Sequence, residues 1–220
     1  MESLDMLANN IANTATAGFK SDREFYSLYQ QELPMIQKQW TDFSQGTLQP
    51  TGNSLDLGLS GKGFFALNSP TGTVYTRNGQ FQISKSNQLQ TAEGFTLRNA
   101  LDQGKPITVD PSLPVDVDKN GNVSQSGQQI AQIEITGSND PAASLSKLGN
   151  SYFIWGAPGA MPADPSTQIT QGAIEQSNVP VSDAAVRLVS VMRQFEMMRR
   201  AMTIGDDMNK EALQEVAKVS

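Results

Sequence analysis

The glycines at Gly58, Gly61 and Gly63 have a spacing that is found in some phosphate-binding loops. A dinucleotide-binding loop lies between a strand and the start of a helix, within a βαβ unit. Here the residues that follow, Phe64 to Leu67, continue as a strand. We therefore predict that these glycines occupy turn or bulge positions and bind no nucleotide.

A second candidate is the segment from Asp116 to Gly121, where carboxylate and amide side chains alternate and glycine stands sixth. This is the pattern that opens a calcium-binding loop of the EF-hand type, which must end in a glutamate six residues after the glycine. That position is Gly127, and the flanking segments have the character of strands. The sequence favours a hairpin turn over a calcium site.

The chain contains neither histidine nor cysteine. It therefore lacks the usual general base at neutral pH, the commonest metal ligand and any thiol nucleophile. A hydrolase using only carboxylates, for example Asp110 and Asp116, remains an alternative, but nothing in the sequence brings two acids together. We predict a protein that is not an enzyme, with no catalytic or metal-binding residues, no cofactor and no small-molecule substrate.

Charge and hydropathy narrow the possible partners and locations. The net charge is −6 with no run of lysine or arginine, so the concentrated basic surface that nucleic acid requires is missing. No apolar run reaches the 18 or more residues of a membrane span, and the N-terminus lacks the basic and apolar regions of a secretory signal peptide. We expect a cytoplasmic protein or one exported without a cleaved signal.

The two ends of the chain carry helical periodicity. A short amphipathic helix is predicted from Met1 to Asn13 and a long one from about Asp183 to Val219. Apolar residues of the long helix recur at steps of three and four, with a mean near the 3.5 residues of a coiled-coil seam. Because such a helix outreaches a small domain, its seam needs a partner, and we predict an assembly interface. Its predicted residues are Leu4, Leu7, Ile11, Leu188, Met192, Phe195, Met198 and Met202.

Between the helices the period changes to two. Leu55, Leu57 and Leu59 alternate with small or polar residues, and Asn78-Gly79 predicts a hairpin. We predict a mainly β protein with helical termini, in which an antiparallel β-domain (54–172) is inserted into a discontinuous α-helical coiled-coil domain (1–33 and 173–220). Residues 34–53 form the predicted connector, and residues 21–50 are expected to be extended or partly helical. The predicted β core contains Phe64, Phe65, Tyr75 and Phe81.

Several of these segments resemble the signatures of bacterial flagellar rod and hook proteins. The matching segments, in chain order, are Leu7–Asn13 with Thr16–Lys20, Leu55–Phe65, Tyr75–Phe81, Leu89–Phe95, Gly172–Val179 and Arg193–Glu196. The short central domain is similar to that of the basal-body rod proteins of the FlgF/FlgG family, with the proximal-rod branch favoured over the distal-rod branch. The family-motif residues are Asn9, Asn10, Asn13, Gly18, Phe19, Ser177, Asn178 and Val179.

The resemblance implies a structural subunit that polymerises through its terminal helices into the axial drive shaft of the basal body. Its expected partners are copies of itself, neighbouring rod proteins and the flagellar type III export apparatus, and its expected location is the rod that spans the periplasm. The chain departs from the family pattern at Ala17, where proline is usual, and starts about 15 residues closer to the Asn9-Asn10 motif, which suggests a longer native N-terminus. A β-sheet binding module on a coiled-coil oligomerisation stalk is the alternative.

Overall fold

The computed structural model describes residues 2–27, 35–138, 140–149, 151–156 and 161–219, in two compact units. One unit, the helical unit, contains the chain up to Ile11 and from Pro180 onward. The other, the β unit, extends from Ala12 to Val179. No helix among the described residues is long and apolar enough to cross a membrane.

The helical unit contains helix α1, Glu2–Ala12, and helix α3, Val181–Val219. Both helices lie within two residues of the predicted bounds, apart from Met1, which is outside the described residues. Helix α3 has 39 residues and is therefore about 58 Å long at 1.5 Å per residue. It begins directly after Pro180, which cannot donate a backbone hydrogen bond, and Asp183 in its first turn complements the helix dipole. The predicted coiled-coil pairing stays a prediction.

The β unit consists mainly of short strands. In chain order they are β1 Asp22–Ser27, β2 Met35–Thr41, β3 Leu48–Pro50, β4 Leu57–Ser60, β5 Phe64–Ser69, β6 Gly72–Thr76, β7 Gln82–Ile83, β8 Leu89–Gln90, β9 Thr96–Leu97, β10 Asp116–Val117, β11 Asn122–Gln125, β12 Gln128–Gln132, β13 Ile135–Gly137, β14 Leu145–Leu148, β15 Tyr152–Trp155, β16 Met161–Pro162, β17 Gln168–Gln171 and β18 Ala173–Glu175. A 3-10 turn, Ala100–Asp102, and the one-turn helix α2, Pro141–Ser144, interrupt them. The mainly β class with helical termini is confirmed.

The largest sheet has the order β14-β15-β6-β5-β9-β8-β7, with β13 added to β5 and β16 added to β13. Every strand pairing among the described residues is antiparallel, as predicted. Smaller sheets are formed by β10-β11-β12, by β4 with β17, by β3 with β18 and by β1 with β2.

Strand β5 lies at the centre of the core because both of its faces are covered. Phe65 and Leu67 point into the main cluster, where the Phe65 ring meets Phe81 at 5.3 Å between centroids. On the opposite face, Phe64 packs against Phe153 at 5.6 Å. The four predicted core residues, Phe64, Phe65, Tyr75 and Phe81, are all buried, which confirms that prediction.

The described residues between 21 and 50 contain strands β1, β2 and β3 and no helix. For these residues the extended part of the prediction is correct and the helical part is wrong. Residues 28–34 lie outside the described residues, and they include residue 34, the first residue of the predicted connector. Strand β18 pairs with β3, which holds Ala173 to Glu175 in the β unit. The compact units therefore divide at Ile11 and Val179, whereas the predicted assembly domain ends at 33 and resumes at 173. That assembly domain stays a prediction.

Candidate functional site

The two family motifs nearest the chain ends meet inside the β unit. The backbone N–H of Gly18 donates to the carbonyl of Glu175 at 2.7 Å, and the N–H of Asn178 donates to the carbonyl of Phe19 at 3.3 Å. We call this region the junction; it consists of residues 18–21, residues 42–46, Arg77 and residues 175–178. Residues more than 150 positions apart in the sequence are thus joined directly by hydrogen bonds.

A buried ionic cluster lies at the centre of the junction. The Glu175 carboxylate and the Lys20 ammonium have no exposed side-chain surface, and 2.6 Å separates Glu175 Oε1 from Lys20 Nζ. Arg77 Nη1 donates to the other carboxylate oxygen at 3.1 Å. The backbone N–H of Gly46 donates to Oε1 at 2.8 Å, so one carboxylate binds three separate segments of the chain.

Each cation also donates to backbone carbonyls. Lys20 Nζ donates to the carbonyl of Ser44 at 2.6 Å, and the Arg77 guanidinium donates to the carbonyls of Leu59 and Gly61. Burial lowers the pKa of Lys20, and the negative charge of Glu175 opposes that shift. Burial likewise lowers the pKa of Arg77, again opposed by Glu175. The carboxylate therefore offsets the cost of burying two positive charges.

Gly18 occupies a position that other residues cannot take without strain. Its φ of +66° lies in the left-handed region. A Cβ at this position would also overlap the backbone carbon of Arg77 and the backbone nitrogen of Asn78. The family-motif glycine is therefore required both by its backbone conformation and by the close approach of the strand end that carries Arg77.

Phe19, the next residue, is fully buried, and Lys147 Nζ lies 4.1 Å from the centre of its ring. The same ammonium donates to the carbonyl of Lys20 at 3.0 Å and to Asp22 Oδ2 at 2.8 Å. Lys147 lies on β14, the edge strand of the large sheet. It therefore fastens the N-terminal motif to that sheet through a cation–π contact and an ion pair.

Asn178 bridges the two chain segments with its side-chain amide. Its Oδ1 accepts from the backbone N–H of Ser21 at 2.7 Å, while its Nδ2 donates to the carbonyls of Asp42 at 2.7 Å and Ser44 at 3.1 Å. Ser177 Oγ accepts from the backbone N–H of Val179 at 3.3 Å. These bonds satisfy the backbone where the chain leaves the sheet.

The three asparagines of the N-terminal motif fall on either side of the unit boundary. Asn9 and Asn10 lie on α1, where Asn10 is buried and Asn9 is exposed. Asn13 is buried in the β unit, and its Oδ1 accepts from the Thr16 hydroxyl at 3.0 Å. That bond supports the turn that ends the N-terminal helix.

The predicted interface residues differ in exposure. On α1, Leu7 is buried while Leu4 and Ile11 are half-buried. On α3, Leu188 is half-buried, and the other predicted interface residues are exposed: Met192, Phe195, Met198 and Met202. The structure contains one copy of the chain, so their role in an interface stays a prediction.

The chemical alternatives find no support among the described residues. No cluster of three acidic side chains that could hold a metal ion is present there. The segment after Asp118 is the hairpin turn between β10 and β11, in which Asp118 Oδ1 accepts from the backbone N–H groups of Asn120 and Asn122. Gly61 and Gly63 lie in the connection between β4 and β5, as predicted. The prediction is wrong for Gly58, which lies inside β4 and pairs with Thr170.

The ionic cluster itself was not predicted from the sequence. Lys20, Arg77 and Glu175 each belong to a matching motif, but their motifs do not predict a role for them. One feature could have indicated them: each is a lone charge within a motif otherwise made of small, apolar or uncharged polar residues.

Comparison with known proteins places this arrangement among the structural proteins of the flagellar axis. Residues 58–125 match the family model described as flagellar hook protein FlgE/F/G D1 domain, and residues 170–215 match the flagellar basal body rod FlgEFG protein C-terminal model. The class is thus a flagellar hook or rod protein.

Individual relatives narrow the class. The chain is 30% identical to the flagellar basal-body rod protein FlgF of Caulobacter vibrioides, covering 99% of this chain and 93% of the relative. It is 31% identical to FlgF of Mesorhizobium japonicum and 28% identical to the rod protein FlgG of Borreliella burgdorferi, in both cases over 93% of this chain and 89% of the relative. The chain belongs to the FlgF/FlgG family of flagellar basal-body rod proteins, a structural family and not an enzyme family.

Proposed function

We propose that this rod protein polymerises through its terminal helices, with copies of itself and with neighbouring rod proteins, into the axial drive shaft of the flagellar basal body. The shaft transmits torque across the periplasm, and the subunits reach it through the type III export apparatus without a cleaved signal peptide. In this proposal residues 1–33 and 173–220 form the assembly domain, with 34–53 as a connector and 54–172 as the β-domain.

The observation that carries the proposal is the exposed apolar surface of α3. Large apolar side chains that are exposed on this helix are Val181, Val186, Val189, Met192, Phe195, Met197, Met198, Met202, Ile204 and Met208. Soluble monomers rarely expose a contiguous apolar surface of this kind. Among the described side chains of α3, those that are buried or half-buried all lie near the start of the helix; they are Ala184, Leu188 and Val191.

Burial of this surface supplies free energy that favours association. Each methionine or phenylalanine that becomes fully buried contributes about 1.5–3 kcal/mol. The four exposed residues of the predicted interface are 46–63% exposed, so burying the rest of their surface contributes roughly 3–7 kcal/mol per subunit before the entropic cost of association. A contact between different surfaces of identical subunits leaves an open end, so it propagates into a filament.

The experiment is a comparison of assembly by two helix variants. Phe195→Ser combined with Met198→Ser removes two apolar side chains from the predicted interface, and polymer yield measured by sedimentation should fall by about tenfold or more. Gln194→Ser is the matched control, because it introduces the same residue at an exposed polar position of the same helix. The control should assemble as the unaltered protein does.

Two results would contradict the proposal. Equal polymer yield from the double variant and the control would show that this face of α3 is not an interface. A discrete small oligomer, with a mass that does not grow with protein concentration, would instead favour a binding module on an oligomerisation stalk.

Within the family we propose the proximal-rod branch, to which FlgF belongs. FlgF of Caulobacter vibrioides and of Mesorhizobium japonicum are 30% and 31% identical to this chain, against 28% for FlgG of Borreliella burgdorferi, while FlgF of Rhizobium meliloti is 26% identical. Antibody labelling of isolated basal bodies should place the protein at the proximal end of the rod. Label at the distal end would assign it to the FlgG branch.

A further inference from the structure

We infer that three methionine thioethers of α3, those of Met192, Met198 and Met202, form an oxidation site that controls self-assembly. The inference rests on the proposed function, because it requires these residues to be buried between subunits. All three are exposed in the single chain, by 53%, 62% and 63%. Thioether oxidation follows exposure, so hydroperoxide can reach these sulfur atoms before assembly.

The chemistry adds one oxygen atom to each sulfur. A sulfur lone pair attacks one oxygen of hydrogen peroxide, the O–O bond breaks, and the departing hydroxide takes a proton and becomes water. The sulfur is oxidised by two electrons to the sulfoxide, and the peroxide is reduced. The chain has no cysteine, so no thiol within it competes for the oxidant.

Oxidation changes the polarity of the side chain at the place where the proposed interface forms. Methionine packs as a flexible apolar side chain, whereas its sulfoxide carries a strongly polar S–O group. Burying that group without a hydrogen-bond donor is unfavourable. We therefore expect the critical concentration for assembly to rise roughly tenfold for each sulfoxide.

The helix itself provides a control position. Met197 is exposed by 62%, so it should oxidise as readily as the other three. At 3.6 residues per turn, however, it lies about 155° around the helix from the mean direction of the four exposed interface residues. Exposure is matched, and only position relative to the predicted interface differs.

The experiment treats the full-length protein with hydrogen peroxide, maps sulfoxides by peptide mass spectrometry and measures the critical concentration by sedimentation. The unaltered protein should lose assembly, and treatment with methionine sulfoxide reductases should restore it. The triple variant Met192→Leu, Met198→Leu, Met202→Leu should assemble and resist peroxide. The variant Met197→Leu should remain as sensitive as the unaltered protein.

The outcomes separate this inference from the proposed function. If untreated protein does not assemble, the proposed function fails and this inference fails with it. If untreated protein assembles and protein carrying the three sulfoxides assembles equally well, only this inference is overturned. It is also overturned if Met197→Leu gains the same resistance as the triple variant, because oxidation would then act without regard to the face of the helix.

Discussion

The substitution Glu175→Gln removes one negative charge from the junction and preserves the size of the side chain. Glutamine keeps one oxygen that can accept the hydrogen bond from the N–H of Gly46, and its size is close to that of glutamate, so the packing changes little. Lys20 and Arg77, however, lose the carboxylate that now lies 2.6 Å and 3.1 Å from their nitrogen atoms. The substitution therefore tests the ionic contacts and not the shape of the core.

The expected loss follows from the burial of the three groups. Removing one member of a buried ion pair typically destabilises a protein by about 3–5 kcal/mol, because the remaining charge stays desolvated. Lys20 can limit that loss by releasing its proton, since burial already lowers its pKa. We expect the free energy of unfolding to fall by about 3–5 kcal/mol, a large share of the roughly 5–15 kcal/mol of a typical domain.

Urea unfolding followed by tryptophan fluorescence measures this loss in the β unit. The two tryptophans, Trp40 and Trp155, both lie there, and Trp155 packs against Tyr75 at 5.1 Å. The matched control is Asp102→Asn, which removes a carboxylate from an exposed pair with Lys105. Exposed pairs contribute about 0–1 kcal/mol, so the control should unfold close to the unaltered protein.

The pH dependence gives a second readout of the same change. Without Glu175, the pKa of folded Lys20 should fall further below that of the unfolded chain. At a pH between the folded and unfolded pKa values, Lys20 is protonated in the unfolded state but not in the folded state. The stability of Glu175→Gln should therefore rise with pH more steeply than that of the unaltered protein, up to about pH 10.5. A loss below about 1 kcal/mol, or equal pH slopes for the two proteins, would refute the assignment of an ionic role to the junction.

Three further substitutions test neighbouring contacts by the same urea assay. Gly18→Ala should lower the free energy of unfolding more than Gly52→Ala does. Both glycines have positive φ, but only at Gly18 do backbone atoms occupy the place of the Cβ. Equal losses of stability would exclude the steric argument. Asn178→Ala should cost about 1–3 kcal/mol by leaving backbone groups at the junction unpaired, and a neutral result would mean that water replaces the amide. Tyr152→Phe should reduce the loss of stability above about pH 10, since burial and the hydrogen bond to Glu93 raise the pKa of Tyr152 and the folded state keeps a proton that the unfolded state releases. An unchanged alkaline profile would contradict that linkage.

The sequence predicted those parts of the fold that depend on local pattern. The helices of the two ends follow from steps of three and four. The hairpin predicted at Asn78-Gly79 is wrong, because β6 pairs with β5 and β15 while β7 pairs with β8. The segment after Asn78 instead bonds to the start of β4, where the Leu57 N–H donates to the Gly79 carbonyl. The alternation around Leu57 correctly predicts a strand, and β4 spans Leu57–Ser60. For the helices and β4, the residues that decide the structure are close together in the chain, so one sequence contains the information.

Long-range pairing could not be predicted in the same way. The pairing of β18 with β3 places Ala173 opposite Pro50. Neither three-residue strand has a sequence pattern that identifies its partner strand. For this reason the predicted domain boundary at residue 173 differs from the observed end of the β unit at Val179. The ionic cluster could not be predicted for a similar reason. A lone lysine or glutamate is normally solvated, and only the tertiary structure buries it.

The junction also explains why charged residues, and not apolar ones, hold these short strands together. Strand β18 alternates Ala173 and Glu175 toward the interior, so a slip of two residues would place Ala173 where Glu175 lies. An apolar contact would tolerate that slip at small cost, whereas the slip would leave Lys20 and Arg77 buried without their anion. Helix α1 ends at Ala12, shortly before Lys20, and helix α3 begins at Val181, shortly after Glu175. The ionic cluster therefore fixes the register of the two chain segments that lead into the terminal helices.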